Sequence, residues 1–522
     1  MTQYLAPGVY VEEIERGPVP IEGVSTNTAA FLGQTERGTL MPALLTSYND
    51  YLRQFGSVFD PNQFMPHAVN AFFENGGTRC YLARIPNVGA TAAFHDFGGY
   101  HVEAIGPGDW GKRVFVKISD STTKKAGQPA QGGQPAQPGA PVGIHLQIAY
   151  WAADPTPPNP LPDPFISGQK LAVPPTQTED FDDVVLDDAG SPNYFLKRVT
   201  NNSGLILFSS LGNNQPIQTG TSALDQGGAA GNPPTVVQYR GIDPDPTKRV
   251  GLAALRLDQY RDTALVYAPN VTPDVAKEVI SHCEDERFRF AVIDCDPGQG
   301  DATKLDPRTN LQDTTYAAFY YPWIWVSDPK TGAPVKVPPC GAVLGIYARS
   351  DDNRGVFKAP ANEPVRGALD LEYNVDQATQ ETLNPLGVNA TRQFPGRGIL
   401  LWGARTMSSN ALWKYISVRR LLIFLEHSIY DGTQWVVFEP NDEKLWARVK
   451  DTIRLFLRTQ WRAGALMGLT EAEAFRIACD RSTMTQDDIL NGRLICEIGV
   501  APVRPAEFVI FRIYQMTQEA QT

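Results

Sequence analysis

The chain reads as an α/β core interrupted by a mostly β insertion and followed by an α+β C-terminal domain, with an extended strand at each end. Three observations point there. Short apolar runs alternate with helix-patterned stretches at residues 28–85 and again at 265–348, the order that places helices on the faces of a parallel or mixed sheet. Between them, residues 106–241 are broken by runs rich in Pro, Gly and Gln. Beyond residue 416, apolar side chains recur with the helical period.

In chain order, YLAPGVYVEEI comes first. After the Pro7-Gly8 break, Val9 and Val11 alternate with Tyr10 and Glu12, the period of a half-exposed strand. Pro18 and Pro20 cannot donate to a regular ladder, so this strand sits on a tether with nothing local to pair with. An apolar run at 28–32, a helix at 47–55 stopped by Gly56, a helix at 66–74 stopped by Asn75-Gly76-Gly77 and a strand at 80–85 follow. In the insertion, strand-like pieces survive at 144–151, 194–199 and 205–211. Order returns with a strand at 265–268, a helix opened by Thr272-Pro273 and a second strand at 290–294, and 316–326 with 340–348 repeats the pattern.

The last third is the most strongly patterned. Ser417 is placed to cap a helix whose Val418, Leu421, Leu422, Leu425 and Ile429 share one face, and Asn441 to cap a longer one with Leu445, Val449, Ile453, Phe456 and Leu457 inward. Thr470 with Glu473 has the spacing of a capping box. Asn491-Gly492 is a turn before alternating Leu494, Cys496, Ile498 and Val500, and a final strand is expected at 508–514. These shifts divide the chain into an N-terminal arm (1–25), the first part of the core (26–105), the insertion (106–241), the rest of the core (242–394), the C-terminal domain (395–505) and a second arm (506–522).

Length and charge exclude several function classes. At 522 residues, burial of a sizeable core is not limiting. A net charge of −11 works against tracking a phosphate backbone, so no nucleic-acid partner is expected. No apolar run is long enough to span a bilayer, and the acidic residues near the N-terminus interrupt any signal-like stretch, so no membrane insertion and synthesis in the cytosol are expected. The six cysteines include no C-x-x-C pair, and buried free thiols are expected.

Apparent catalytic motifs dissolve on inspection. GPGDWGKR at 106–113 nearly fits a phosphate loop, but Arg113 replaces the hydroxyl that holds magnesium and a strand follows instead of a helix. His282, Cys283, Asp294, Cys295 and Asp296 read as core and strand-end residues rather than a metal or Cys-His site. An α/β hydrolase is the enzyme alternative, yet no G-x-S-x-G elbow is present, and His427 is expected at a helix surface. No catalytic residue, metal or cofactor is assigned. Trp402, Trp413, Trp435, Trp446 and Trp461 read as buried anchors, some of them open to interface roles.

The runs PGRGILLWGART, VRRLLIFLEHSI, GTQWVVFEPND, FLRTQWRAGALMG and EIGVAPVRPAEFVIFRI, with PGVYVEE at the other end, resemble the contractile tail sheath proteins of phages and phage-tail-like injection systems. The resemblance is dense over 394–514, brief over 4–13 and only in outline between. It implies a subtilisin-like α/β central domain without protease function. It also implies a homo-oligomer of hexameric rings stacked helically around an inner tube protein, ended by baseplate and terminal cap proteins, assembled in the bacterial cytoplasm and able to shorten and drive the tube through an envelope.

Two residue sets follow. A tethered strand at each end can complete a sheet on another copy, so Tyr4, Val9, Tyr10, Val11, Phe508, Ile510 and Arg512 are the expected subunit-linking arm residues. Residues 392–462 carry twelve Lys or Arg against six Asp or Glu, a balance of +6, leaving −17 for the remainder. Lys444, Arg448, Lys450, Arg454 and Arg458 are therefore candidates for contacting an acidic inner tube, or else a solvated helix face.

Overall fold

The computed structural model describes residues 20–58, 60–125, 139–152, 164–165 and 173–512. These fall into two compact units: one of residues 26–353 and 360–416, the other of the described residues before 26, of 354–359 and of those after 416.

The first unit is built on a nine-stranded sheet. Its parallel strands are β1 (Ala29–Gly33), β2 (Cys80–Arg84), β3 (Leu265–Tyr267), β4 (Phe290–Asp294), β5 (Ala317–Tyr321) and β6 (Val388–Phe394), in the spatial order β2, β1, β3, β4, β5, β6. Antiparallel pieces finish both ends, Ala43–Leu45 beside β2, and β7 (Gly398–Leu401) then Glu363–Pro364 beyond β6. Every residue of β1, β3 and β5 is buried, which is why these strands appear in the sequence as unbroken apolar runs.

Helices α1 (Tyr48–Phe55), α2 (Met65–Glu74), α3 (Pro273–Glu286) and α4 (Cys340–Arg354) belong to this unit. Ser47 caps α1, accepting from the Asp50 N–H at 3.1 Å. Glycine lets α2 and α4 touch: a Cβ on Gly341 would sit 2.6 Å from the Ala68 Cα, and one on Gly345 would strike the Phe72 carbonyl. Arg349, on the same helix, donates to the carbonyls of Asn75 at 2.9 Å and Pro364 at 2.8 Å.

Two four-stranded antiparallel sheets, both within residues 93–227, share one core of residues such as Trp110, Val116, Ile148 and Phe208. This β part starts at Ala93, not at residue 106, because Ala93–Phe97 pairs with Tyr100–Ala104, which in turn pairs with Ile206–Ser210. The expected strand at 194–199 is a helical turn, Leu196–Thr200. GPGDWGKR forms one tight turn, Asp109–Arg113, leading straight into the strand Val114–Asp120, with Trp110 buried.

Residues 395–416 stay with the first unit, so the division falls at 416 and not at 394. The reason is local: β7 folds back antiparallel on β6, pairing Phe394 with Gly398 across a tight turn. Near the C-terminal ends of β3, β4 and β5 lies a cavity of about 160 Å³ lined by Asp294, Cys295 and Asp296. Asp294 accepts from the Tyr267 hydroxyl at 2.6 Å and the Cys340 N–H at 3.1 Å, and burial pushes its carboxyl up to about 6. His282 accepts from Arg289 at 2.6 Å, and burial, then that guanidinium, holds its imidazole well below the usual value.

Candidate functional site

The second unit is assembled from α5 (Ile416–Gly432), α6 (Glu443–Arg462), α7 (Glu471–Ala474), β8 (Phe475–Ala478), α8 (Gln486–Leu490) and β9 (Glu497–Val500). The inward positions of α6 are Leu445, Trp446, Val449, Ile453, Phe456 and Leu457, packed with Leu421 and Leu425 of α5 and Phe475 of β8. On α6 the periodicity selected all of these but Trp446; on α5 Val418, Leu421 and Leu425 are buried as expected, and Leu422 and Ile429 only partly; the caps differ from those expected. α5 begins at Ile416, which puts Ser417 inside the helix. Asp442 caps α6 by accepting from the Leu445 N–H at 2.8 Å, while Asn441 accepts from the Trp446 indole at 2.8 Å. Thr470 makes no side-chain cap, and Glu473 instead accepts from the Leu469 N–H. A capping box does form at Thr485 and Asp488, at the start of α8.

β8 and β9 make an antiparallel sheet of only two strands, pairing Phe475 with Val500 and Ala478 with Glu497. The Ala501 N–H donates to the Ala474 carbonyl at 2.9 Å, which marks that opposed pair as hydrogen-bonded. Antiparallel pairs alternate between bonded and non-bonded, so the backbones of Ile477, Ile498 and Val500 point away from the partner strand. Neither outer edge pairs with another strand among the described residues. An open edge of this kind is a template for another strand.

The expected arm residues divide. Tyr4, Val9, Tyr10 and Val11 lie outside the described residues. Phe508, Ile510 and Arg512 are described, and the strand expected from 508 onwards is not formed over 508–512. A strand exists only by pairing, and this segment has no ladder partner among the described residues. Phe508, Val509, Ile510 and Phe511 are 68% to 84% exposed, four consecutive apolar residues facing solvent.

The five candidate cations of α6 also divide. Lys444 is exposed. Arg448 is half-exposed, stacked 4.6 Å over the Trp435 ring and 3.9 Å from the Glu439 carboxylate. Arg454 and Arg458 both bind Glu471, the latter at 2.8 Å, and together they hold its carboxyl below the usual range. Lys450 is only partly exposed and acts electrostatically on Cys479 and Asp480. Sequence reasoning missed Glu471, because only the fold brings it beside α6.

Of the five tryptophans, Trp446 is fully buried and the other four are partly buried. His427 is buried, contrary to the surface position expected, because α5 is enclosed on most of its circumference and only its last turns reach solvent. Five cysteines are buried and Cys496 partly so, all of them free thiols. Among the described residues no helix is long and apolar enough to cross a membrane.

Residues 250–407 match the phage tail sheath protein central domain, and 408–516 the phage tail sheath C-terminal domain. A tail sheath protein of Vibrio phage KVP40 is 26% identical over 234 residues, 42% of this chain and 34% of that protein. One from Salmonella phage ViI is 24% identical over 47% of this chain and 42% of its own length, so the matches span less than half of these relatives. Among solved structures, the sheath complex of an extracellular contractile injection system in its contracted state shares the fold, with TM-score 0.61 and 21% identity over 99% of this chain and 100% of that one. The helical sheath of the anti-feeding prophage, also contracted, has TM-score 0.58 and 22% identity over 98% and 100%. With both sheath domains matched in order and the same fold along nearly the whole length, this chain belongs to the phage tail sheath protein family.

Proposed function

We propose that the chain is the repeating structural subunit of a contractile sheath, assembled as hexameric rings stacked helically around an inner tube and linked by its two end segments. The observations that carry this reading are the two-stranded sheet of β8 and β9, whose outer edges are open among the described residues, and the exposed apolar segment at 508–511. Main-chain hydrogen bonds to such an edge supply affinity, and alternate side chains set register. Val9 and Val11 of one copy and Phe508 and Ile510 of another are the pairing residues. Donor and acceptor surfaces differ, so the contact is head-to-tail and propagates into rings or helices.

In this reading the core of the first unit, subtilisin-like in arrangement, is a rigid body, and the β part at 93–227 is an inserted outer domain. Contraction is a rotation of rigid bodies between two packings while the arms keep neighbours joined. Lys444 and Arg448 face an acidic inner tube, and baseplate and terminal cap proteins close the two ends. Assembly takes place in the bacterial cytoplasm.

Deleting residues 1–16 tests the arms. The expected product is a folded chain with the parent's circular dichroism that forms no tube under the electron microscope. Tubes that still assemble and contract would sink the arm model.

A further inference from the structure

We infer that Cys479 and Cys496 form a dithiol–disulfide site, a reversible covalent staple across the end of the β8–β9 sheet. The register places them together. Ala478 lies opposite Glu497, so Cys479, one residue on, lies opposite Cys496, one residue back. Counting from the hydrogen-bonded Ala474 and Ala501 pair, this is a non-bonded position, where opposed Cα atoms approach to roughly 4.5 Å. A disulfide accepts Cα separations of about 4.4–6.8 Å. Phe475, Ile477 and Cys479 alternate onto the face that packs against α6, as do Cys496, Ile498 and Val500, and both cysteines belong to that unit's core. Both side chains therefore stand on one side of the sheet.

Cys479 differs from the other thiols. The neighbouring Cys496 thiol holds the Cys479 thiol below the ordinary cysteine value and the Lys450 ammonium adds in the same direction, while the same pairing and burial push the Cys496 thiol well up. Burial alone pushes Cys80 well up, and it dominates the same shift at Cys283, Cys295 and Cys340. Cys479 is 3% exposed and Cys496 is partly exposed, so a reagent reaches Cys496 first. With a small-molecule disulfide as oxidant, Cys496, the more accessible thiol, gives up its proton to solvent and attacks one of its sulfurs, forming a mixed disulfide and expelling one thiolate. Cys479 then attacks the Cys496 sulfur and expels the second. Two protein thiols and one disulfide become one protein disulfide and two small thiols, with no atom or electron unaccounted for.

The site is a dithiol in a reducing compartment and a staple once the surroundings oxidise. Because it closes the sheet that Proposed function assigns to the neighbour's arms, and to that extent rests on that reading, oxidation fixes the register of the accepting edge. The test uses the full chain, purified reduced and dissociated, and equilibrated with mixtures of oxidised and reduced glutathione. Thiols are counted after denaturation, and peptides are mapped by mass spectrometry.

The expected result is loss of two of the six thiols, a Cys479–Cys496 cross-linked peptide, and an upward shift in the unfolding midpoint. Cys479→Ser should stop at a glutathione adduct on Cys496, and Cys496→Ser should keep all of its remaining thiols. Six thiols retained under fully oxidised glutathione, or an adduct on Cys496 that never resolves in the parent chain, would overturn the proposal. Tube formation by the reduced chain, scored separately, bears on the arm model alone.

Discussion

Arg458 donates from Nε to the Glu471 carboxylate at 2.8 Å, across the gap between α6 and the first residue of α7. Arg454 binds the other oxygen of the same carboxylate. Two of the five candidate cations on α6 thus have an internal role, orienting the short helix that leads into β8.

Glu471→Ala is expected to leave the fold intact and lower the unfolding midpoint slightly, since exposed ion pairs contribute little even when shared. The Glu471 carboxyl is held below its ordinary 4.5 by the two arginines. A depressed folded value means stability that is present above the unfolded pKa and lost as pH falls through the folded one. Thermal melts of parent and variant should therefore differ at neutral pH and converge as pH falls through the folded value. A gap that persists in acid would assign the effect to packing.

The opposite sign applies at Asp294. Its folded pKa, about 6, lies above the ordinary 3.8. Stability is thus higher below pH 4 and falls as pH rises toward 6, by at most about 3 kcal/mol because the residue is only partly buried. Asp294→Asn retains an acceptor for the Cys340 N–H and should flatten that dependence, matching or exceeding the parent at pH 7. Denaturant melts across pH 4–7 give the answer, and a large loss at pH 7 would mean that the ionised carboxylate is itself stabilising.

At the α2–α4 crossing, Gly341→Ala places a methyl carbon 2.6 Å from the Ala68 Cα. Helix propensity favours the change by roughly 1 kcal/mol, but overpacking against rigid backbone costs about 1–3 kcal/mol. Net destabilisation is expected in urea unfolding, whereas a stabilised variant would show that the two helices slide freely.

Charge reversal separates the two readings of α6. Lys444→Glu with Arg448→Glu should abolish assembly on the inner tube and leave the unfolding midpoint nearly unchanged. Arg454→Glu with Arg458→Glu should lower the midpoint as well, through repulsion from Glu471. Normal assembly by the first pair would make that face merely solvated.

Much of this was legible in the sequence because burial leaves a period. Phe290–Asp294 appears as an apolar run since both faces of β4 are covered, and Leu445 to Leu457 mark one side of α6 because the other meets water. What escaped was long-range. Asp442 displaced Asn441 as the cap because Asn441 is engaged by Trp446, and Glu471 is recruited by arginines more than a dozen residues away. β7 looked like the opening of a new domain, since a hairpin back onto β6 leaves no mark in composition. The pairing of Cys479 with Cys496 needs the register, which spacing alone does not supply.

The most direct test is a cryo-electron microscopy reconstruction of the assembled chain at a resolution that traces main chain. The account predicts residues 9–11 of one copy and 508–510 of another hydrogen-bonded as added strands along the edges of β8 and β9 of a third. Edges left bare in the assembled tube, with neighbours joined only through other surfaces, would contradict it.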